Sequence, residues 1–464
     1  MTMSQTELKA NKSSIINYCV ILHAAENKLL TIRNENSLVL PSFSSFQYER
    51  GTVSHLNREI KSQTGLNVTT LRSIFYGAGS ENTTERRVYE MEAHEFHNLS
   101  IGNGFWLALD RLDSQLDIDS WLLNCLQLWL EDTELNKANF RSPWAKRGWF
   151  VKAVNWIEFQ LKQPNLIATD AVEQVINCES SCILKIQTAS AKVYFKAVSN
   201  AFKDEPSKTN LLAEFFPSKL PNLLALDIDN HWLLMEEFAG DILNEVSVLQ
   251  DWQEALKSFA RIQIQALKKV ETLLDRGIPD MRLDRLAPQI KLLLAKKSTA
   301  QANQQSNLAM IDWGKLYSLI PQFEMMCNEL SASGIPQTIV HGDFHAQNII
   351  STNEEYIFFD WSYAAISHPF FDAVYLLEIY TYQLPNIKNA REYLLNAYLE
   401  PWTCYLPIKQ LKEVYHQALP LTYLFKAIAD NRIAETMERE CNQLWKQIVP
   451  YWLKMLLKYT EANP

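Results

Sequence analysis

From about Asp251 to the C-terminus the apolar residues recur at helical spacing, and that pattern is broken twice, by "QTIVHGD" at 337–343 and "YIFFDW" at 356–361. Both islands are rich in strand formers; the first ends on Asp343 and the second carries Asp360 just before its last residue. Short strands inside helical text need partners, so the mouths of adjacent strands become the place where their polar ends converge. Upstream the text is different. "AVEQVINCESSCILKIQTASAKVYFKAV" at 171–198 alternates in period two and predicts an antiparallel sheet. A strand-rich part followed by a helical part gives an α+β chain.

The first segment reads as a compact unit of its own. "IINYCVILHA", "KLLTIR" and "SLVLP" are strands separated by "AEN" and "NEN" turns, and "SHLNREIKSQTG" is a helix with a serine at its start and Gly65 as its stop. More strand text runs from Leu66 to about Phe96, and "DSWLLNCLQLWLEDTE" is a second amphipathic helix ending near residue 134. "NKANFRSPWAKRG" is a linker, followed by a helix through "WFVKAVNWIEFQL". The polar tract "KKSTAQANQQSN" at 296–307 reads as a surface connection. The expected division is 1–135, a linker and leading helix at 136–164, a β-rich lobe at 165–245 and a helical lobe at 246–464.

Composition excludes several classes of function. A chain of 464 residues with 47% hydrophobic residues is globular and long enough for two domains or more. Its formal charge of −9, from 44 Lys+Arg against 53 Asp+Glu, comes without a basic run, so nucleic acid is not an expected partner. Seven scattered cysteines imply free thiols in a reducing compartment. Cys178 and Cys182 are the only close pair, and no histidines stand at zinc-ligand spacing. The opening "MTMSQTELKANKSS" is too polar for a signal core, and no apolar run is long enough to span a membrane. A cytoplasmic protein without a membrane partner is expected; its oligomeric state is left open.

Chemistry concentrates in "VHGDFHAQNI" and "IFFDW". Gly342 allows a tight turn, Asp343 follows it, Asn348 lies five residues on, and Asp360 stands just before the last residue of the second island. An amide oxygen and a carboxylate suit Mg²⁺, which shares its coordination with phosphates, so Asn348 and Asp360 are the metal candidates. Asp343 is left to accept a proton from an attacking hydroxyl, as in a D-x-x-x-x-N catalytic loop. A cation for the phosphates is expected on a strand of the β-rich lobe: Lys196 in "KVYFKA", with Glu214 as its helix-borne acid. "HWLLMEEFAG" offers a polar crossing after an apolar strand, where main chain at Glu236 to Gly240 could meet adenine. His341 and His368 read as loop hydrogen-bonding groups, with His345 undecided. In "PLTYLFKAIADNRIA" the periodicity reads as core, although Asp430, with Glu435 and Glu438 beyond it, could instead line a pocket for a cationic acceptor.

Together these residues resemble the aminoglycoside phosphotransferase and choline kinase-like family, over roughly residues 165–464, most specifically in "HGDFHAQN" and "FFDWSYAAISHPFFD". The resemblance implies a two-lobed protein-kinase-like fold with a β-rich N-lobe and a helical C-lobe. It implies Asp343 as catalytic base, Asn348 and Asp360 as Mg²⁺ ligands, Lys196 on the nucleotide phosphates, main chain at Glu236 and Phe238 on adenine, and Asp372 as a structural support. One departure is clear: the turn "NCESSC" lacks glycines, so Ser180 and Ser181 would have to meet the phosphates with hydroxyls and main-chain N–H.

The helix "HLNREIKSQTGL" resembles the second half of a Nudix box, with Arg58, Glu59, Gly65 and Leu66 in place. Ser62 and Gln63 stand where that family has two metal-binding glutamates, and Ser44 and Arg50 where it usually has Gly and Glu. Without those acids no metal-bound water can be polarised. The resemblance therefore implies a small Nudix-like α/β sandwich domain at 1–135 that is not catalytic. The expected function is ATP- and Mg²⁺-dependent transfer of the γ-phosphoryl group to the hydroxyl of a small molecule. The alternative is a nucleotide-sensing or scaffold protein in which both domains are silent.

Overall fold

The computed structural model describes residues 15–23, 25–35, 37–45, 51–77, 84–94, 104–134, 141–162, 166–301, 311–353, 355–437 and 442–462. The chain is α+β, β-rich toward its N-terminus and helical toward its C-terminus. Its contacts separate two compact units, the first running to Asn200 and adding Leu224–Glu237, the second comprising Ala201–Leu223 and the rest from Phe238. Among the described residues no helix is long and apolar enough to cross a membrane.

The first unit contains two sheets. Strands β1 (Ile15–His23), β2 (Lys28–Asn34), β3 (Ser37–Val39), β4 (Ser42–Ser45), β5 (Val68–Gly77), β6 (Glu85–Ala93) and β7 (Gly104–Ala108) form a mixed sheet of order β3-β2-β1-β6-β5, with β4 added to β1 and β7 to β2. The pairing of β1 with β6 is parallel, running from Ile15 opposite Glu85 to His23 opposite Ala93. Apolar residues of this sheet pack in two clusters. One includes Leu56 and Ile60 of helix α1 (Ser54–Thr64), the other Leu122, Leu126 and Trp129 of helix α2 (Ser120–Glu134). Helix α1 stops as its sequence requires, with Gly65 left-handed at φ 72° and its N–H on the Lys61 carbonyl. Its start differs from expectation: Val53 is the cap residue and makes no side-chain cap bond, while Ser54 lies inside the helix. Arg50 falls outside the described residues.

Helix α3 (Trp149–Leu161) leads to the second sheet, whose order is β11-β12-β10-β9-β8. Its strands are β8 (Glu173–Asn177), β9 (Ser181–Gln187), β10 (Lys192–Val198), β11 (Leu223–Asp227) and β12 (Trp232–Glu236). Alternation in β9 and β10 places Leu184, Ile186, Val193 and Phe195 in a core with Trp149, Ala153, Ile157 and Trp232. The aromatic members meet edge-on or tilted, Phe195 and Trp232 at 5.4 Å.

The second unit is built on helix α4 (Glu205–Phe215), helix α5 (Leu249–Ala266), the long helix α6 (Ile408–Thr436) and helix α7 (Asn442–Ala462), among others. The tract at 296–307 is helical as far as Gln301, at the end of helix Leu283–Gln301, and the remainder lies outside the described residues. Embedded among these helices are β13 (Asp241–Ile242), β14 (Thr338–Val340), β15 (Ile349–Ser351), β16 (Tyr356–Phe358) and β17 (Ala365–Ser367). The two sequence islands do not pair with each other. Strand β14 pairs with β17, while β16 pairs with β15, which continues to β13.

Gly240 enters β13 so close to β15 that a Cβ there would lie 2.3 Å from the Ser351 carbonyl oxygen. Backbone on both sides cannot give way cheaply. Gly240→Ala should therefore lower the unfolding free energy by about 2 kcal/mol or more, read from urea unfolding of the full chain. An unchanged midpoint would contradict this close approach.

Candidate active site

The turn after β14 is the structural centre of the second unit. Gly342 has φ 78°, and a Cβ on it would lie 2.6 Å from the Tyr363 carbonyl oxygen, so both conformation and space demand glycine. The exposed N–H groups of this turn are taken by one carboxylate: Asp372 Oδ2 accepts from His341 N at 2.8 Å and Oδ1 from Gly342 N at 2.9 Å. Gln263 of α5 donates to the same Oδ2 at 3.1 Å. Burial pushes the Asp372 carboxyl up to about 7, against the pull of those main-chain donors. Asp372 is thus the support that the sequence resemblance implied.

His341 is fully buried, its Nε2 2.9 Å from the Phe359 carbonyl and its Nδ1 without a partner among the described residues. That places the ring proton on Nε2, and burial lowers its pKa to about 4. His368 is also buried, Nδ1 accepting from Phe370 N at 3.3 Å, and burial lowers its pKa to about 3. Both histidines are neutral loop groups.

Asp343, next along the turn, keeps 24% side-chain exposure. Tyr375 donates its hydroxyl to Oδ1 at 2.8 Å, His345 Nε2 lies 3.4 Å from Oδ2, and Lys426 Nζ lies 3.8 Å from Oδ1. Burial acts to raise its pKa, but His345, Lys426 and Tyr375 outweigh burial and hold it below the usual carboxylate range. Lys426 comes from α6, is itself buried, donates to the Gly342 carbonyl at 3.0 Å and lies 4.0 Å above Tyr363 and 4.6 Å above Tyr375.

Asn348 and Asp360 are brought together by main chain. Phe359 N donates to the Asn348 carbonyl at 3.1 Å, continuing the register in which Ile349 opposes Phe358. Asn348 Nδ2 donates to the Asp343 carbonyl at 3.0 Å, which leaves its Oδ1 as the atom for a cation. Asp360 adopts the left-handed conformation at φ 64°, which an aspartate tolerates better than most residues. Among the described residues there is no group of three or more His, Cys, Asp and Glu side chains that could hold a metal alone. One amide oxygen with one carboxylate fits Mg²⁺ only in company with phosphates and water, which is how that ion usually binds.

Residues 206–408 match the model of the phosphotransferase enzyme family. No curated protein sequence matches the chain. Among solved structures, the Plasmodium vivax ethanolamine kinase is 13% identical over 66% of this chain and 89% of that one, with a TM-score of 0.45. The GDP and kanamycin complex of APH(2")-IIia is 16% identical over 67% and 100%, at 0.44. Choline kinase from Cryptosporidium parvum is 14% identical over 63% and 90%, also at 0.44.

The other residues singled out by sequence are placed as follows. Lys196 is buried in β10, opposite Leu233 of β12 and Ile183 of β9. Glu214 does not serve as a buried acid: its carboxylate is exposed and makes a two-bond pair with Arg276 at 2.6 and 3.0 Å. The buried acid of α4 is Glu205, in its first turn. Glu236 ends β12 opposite Val193, and Phe238 stacks on Phe359 at 5.2 Å. Ser180 lies in the tight turn between β8 and β9 and Ser181 opens β9, the turn being closed by Cys178 N on the Ser181 carbonyl at 3.0 Å. The Ser180 hydroxyl is 3.2 Å from the Cys178 thiol, and the Ser180 carbonyl accepts from Ser199 N.

Asp430 is not an acceptor-pocket residue. It is buried and accepts from Tyr363 at 2.7 Å and Trp452 at 2.6 Å. Glu435 accepts from Asn431, and Glu438 falls outside the described residues. Sequence reasoning missed Lys426, Tyr375 and Gln263. The available signal for Lys426 was a lysine inside the apolar run "LTYLFKAIA", where a charge needs a buried partner.

The buried histidines set a sign for pH dependence. With a folded pKa of about 3 for His368 against an ordinary value near 6.5, the unfolded chain takes up the proton first. Stability is present above that ordinary value and is lost as pH falls toward the folded one; His341 acts in the same direction, and Asp372, whose pKa is raised, in the opposite one. His368→Gln should flatten the loss of unfolding free energy between pH 6 and pH 4 by about 1 kcal/mol per pH unit. Urea titrations across that range measure it, and parallel slopes in the two proteins would refute it.

Proposed function

We propose that this chain transfers the γ-phosphoryl group of ATP, with Mg²⁺, to the hydroxyl of a small molecule. One observation carries the reading: a partly exposed, ionised Asp343 sits on a turn held by Asp372, with Asn348 donating to its carbonyl and laddered to the residue before Asp360.

In this reading the acceptor O–H donates to Asp343 and is thereby oriented toward the γ-phosphorus. The new O–P bond forms as the bond between that phosphorus and the β–γ bridging oxygen breaks, ADP leaves, and the acceptor proton passes to Asp343. A carboxylate with a depressed pKa suits late proton transfer, because most of the bond to the leaving oxygen is already broken when the proton moves. Asn348 Oδ1 and Asp360 would hold Mg²⁺, which when bound supplies charge neutralisation to the phosphate oxygens. Lys196 would be the cation on the nucleotide phosphates, and main chain at Glu236 and Phe238 would meet adenine. Tyr375 and Lys426 fix the Asp343 carboxylate from its inner side.

A second reading, a nucleotide-sensing or scaffold protein, is favoured by the turn at 177–182, whose serine hydroxyls face the Cys178 thiol. For the N-terminal segment we propose a non-catalytic, Nudix-like role: Ser62 is exposed on α1 and Gln63 donates to Glu59, so that face offers no paired carboxylates.

Asp343→Asn should lower turnover by about 10²- to 10⁴-fold while nucleotide binding persists, and Asp360→Ala should abolish the Mg²⁺-dependent part of nucleotide binding. Thermal-shift titration with ATP and Mg²⁺, followed by ³¹P NMR on amino alcohols, sugars and aminoglycosides, tests both. Full phosphoryl transfer by the Asp343 variant would end the assignment of the base. Binding of ATP without transfer to any acceptor would favour the sensing protein.

A further inference from the structure

Strand β8 is the edge of the five-stranded sheet, yet its outer edge is not open. Val53 N donates to the Val175 carbonyl at 3.0 Å and Asn177 N to the Gly51 carbonyl at 2.8 Å, with Thr52 opposite Ile176 in an antiparallel bridge. The segment leading into α1 therefore continues the sheet by one short strand.

Two irregularities meet at this seam. Strand β5 is bulged between Thr70 and Arg72, and β8 between Gln174 and Ile176. The Gln174 side chain, 3% exposed, fills the gap: Oε1 accepts from Thr70 N at 2.9 Å and Nε2 donates to the Thr70 carbonyl at 2.9 Å. Asn57 of α1 donates to the same Oε1 at 3.1 Å and accepts from the Thr70 hydroxyl at 2.8 Å. A side-chain amide thus pairs with both main-chain groups of an edge-strand residue beside a bulge.

The contacts run on into the turn. Asn177 Nδ2 donates to the Leu71 carbonyl at 3.0 Å and also to that of Thr70. Trp144 Nε1 donates to the Cys178 carbonyl at 3.1 Å. Gly51, at φ 81°, lies so close that a Cβ there would be 3.2 Å from Cys178 Cβ. The turn at 177–181 is held from outside its own hairpin at its first two residues.

We propose that the N-terminal mixed sheet acts as a fixed clamp on this turn, so that nucleotide phosphates meet a main chain ordered in advance, where a glycine-rich loop would be ordered only on binding. Asn177, Gln174 and Gly51 are its positioning residues. The inference rests on the phosphotransferase reading, which assigns the turn to the phosphates, and it gives the N-terminal segment a part in that reaction without chemistry of its own. A flexible loop loses conformational freedom when it closes on a ligand; a clamped turn has lost it during folding, and affinity gains accordingly.

The test uses the full chain and MgATP. Asn177→Ala and Gln174→Ala, measured well below their melting temperatures, should raise the Kd for MgATP about tenfold. A purely structural role would lower the melting temperature and leave the Kd of the folded protein unchanged. Gly51→Cys is the complementary variant, since its Cβ would stand within a few tenths of an ångström of disulfide distance from that of Cys178. Oxidation should join the two, and the bridged form should bind MgATP as tightly as the reduced form. Loss of binding on bridging would show that the turn must leave the seam, and overturns the clamp. So does an unchanged Kd in Asn177→Ala, or a failure of the two thiols to join. If the unaltered chain binds no MgATP, the phosphotransferase reading itself falls and takes the clamp with it; the unaltered chain therefore separates the two failures.

Discussion

The second unit depends on one buried carboxylate that holds two successive main-chain N–H groups. Gly342 turns the chain so tightly that its own N–H and that of His341 point to the same side, and Asp372 accepts both. Left unmet in the interior, those donors would cost about 1–3 kcal/mol each. The carboxylate is in turn fixed by Gln263, whose Oε1 lies 2.6 Å from the Tyr398 hydroxyl. A chain of hydrogen bonds thus runs from α5 through Asp372 to the turn, and the position of Asp343 follows from it. Buried networks of this kind specify one geometry because every partial arrangement strands a polar atom.

Two carboxylates one residue and one hydrogen bond apart on this network receive opposite treatment. Asp372 is enclosed, and burial raises its pKa to about 7 despite its donors. Asp343 keeps an open side, and His345, the Lys426 ammonium and the Tyr375 hydroxyl beside it hold its pKa below the usual carboxylate range. Environments that push neighbouring acids apart give them separate roles: Asp372 is a support, and in the proposed phosphoryl transfer Asp343 is the group that meets the acceptor. Lys426 makes this possible without exposing a charge, since its ammonium is shared between a carbonyl, a carboxylate and two tyrosine faces.

How much of this was legible in the sequence varies with the range of the interaction. Strands β1, β2, β8, β9 and β10 and helices α2 and α3 follow from periodicity and turn residues, because a local pattern dictates them. Asp343, Asn348 and Asp360 were legible from spacing, since one turn and one hairpin bring them together. Pairing was less legible. The two strand islands read as neighbours, but each joins a strand of only three residues, Ala365–Ser367 or Ile349–Ser351, too short to announce itself. Spacing from Lys196 makes Glu214 its expected helix-borne acid, yet Arg276, far along the sequence, takes it at the surface. Helical periodicity also could not show that Lys426 reaches back to a turn more than eighty residues earlier.

The missing glycines at 177–182 have a structural explanation in the same terms. Glycine in a phosphate loop lets main chain approach a ligand closely and adopt conformations that other residues resist. Here the turn is a tight hairpin closed by Cys178 N on the Ser181 carbonyl, so no residue in it needs a positive φ. The one left-handed glycine of the region is Gly51, on the neighbouring segment, where it lets the chain pass against Cys178. A turn built this way trades mobility for order: segment 51–53 is held to β8 by main-chain bonds, and β5 of the mixed sheet by the side chains of Gln174 and Asn177.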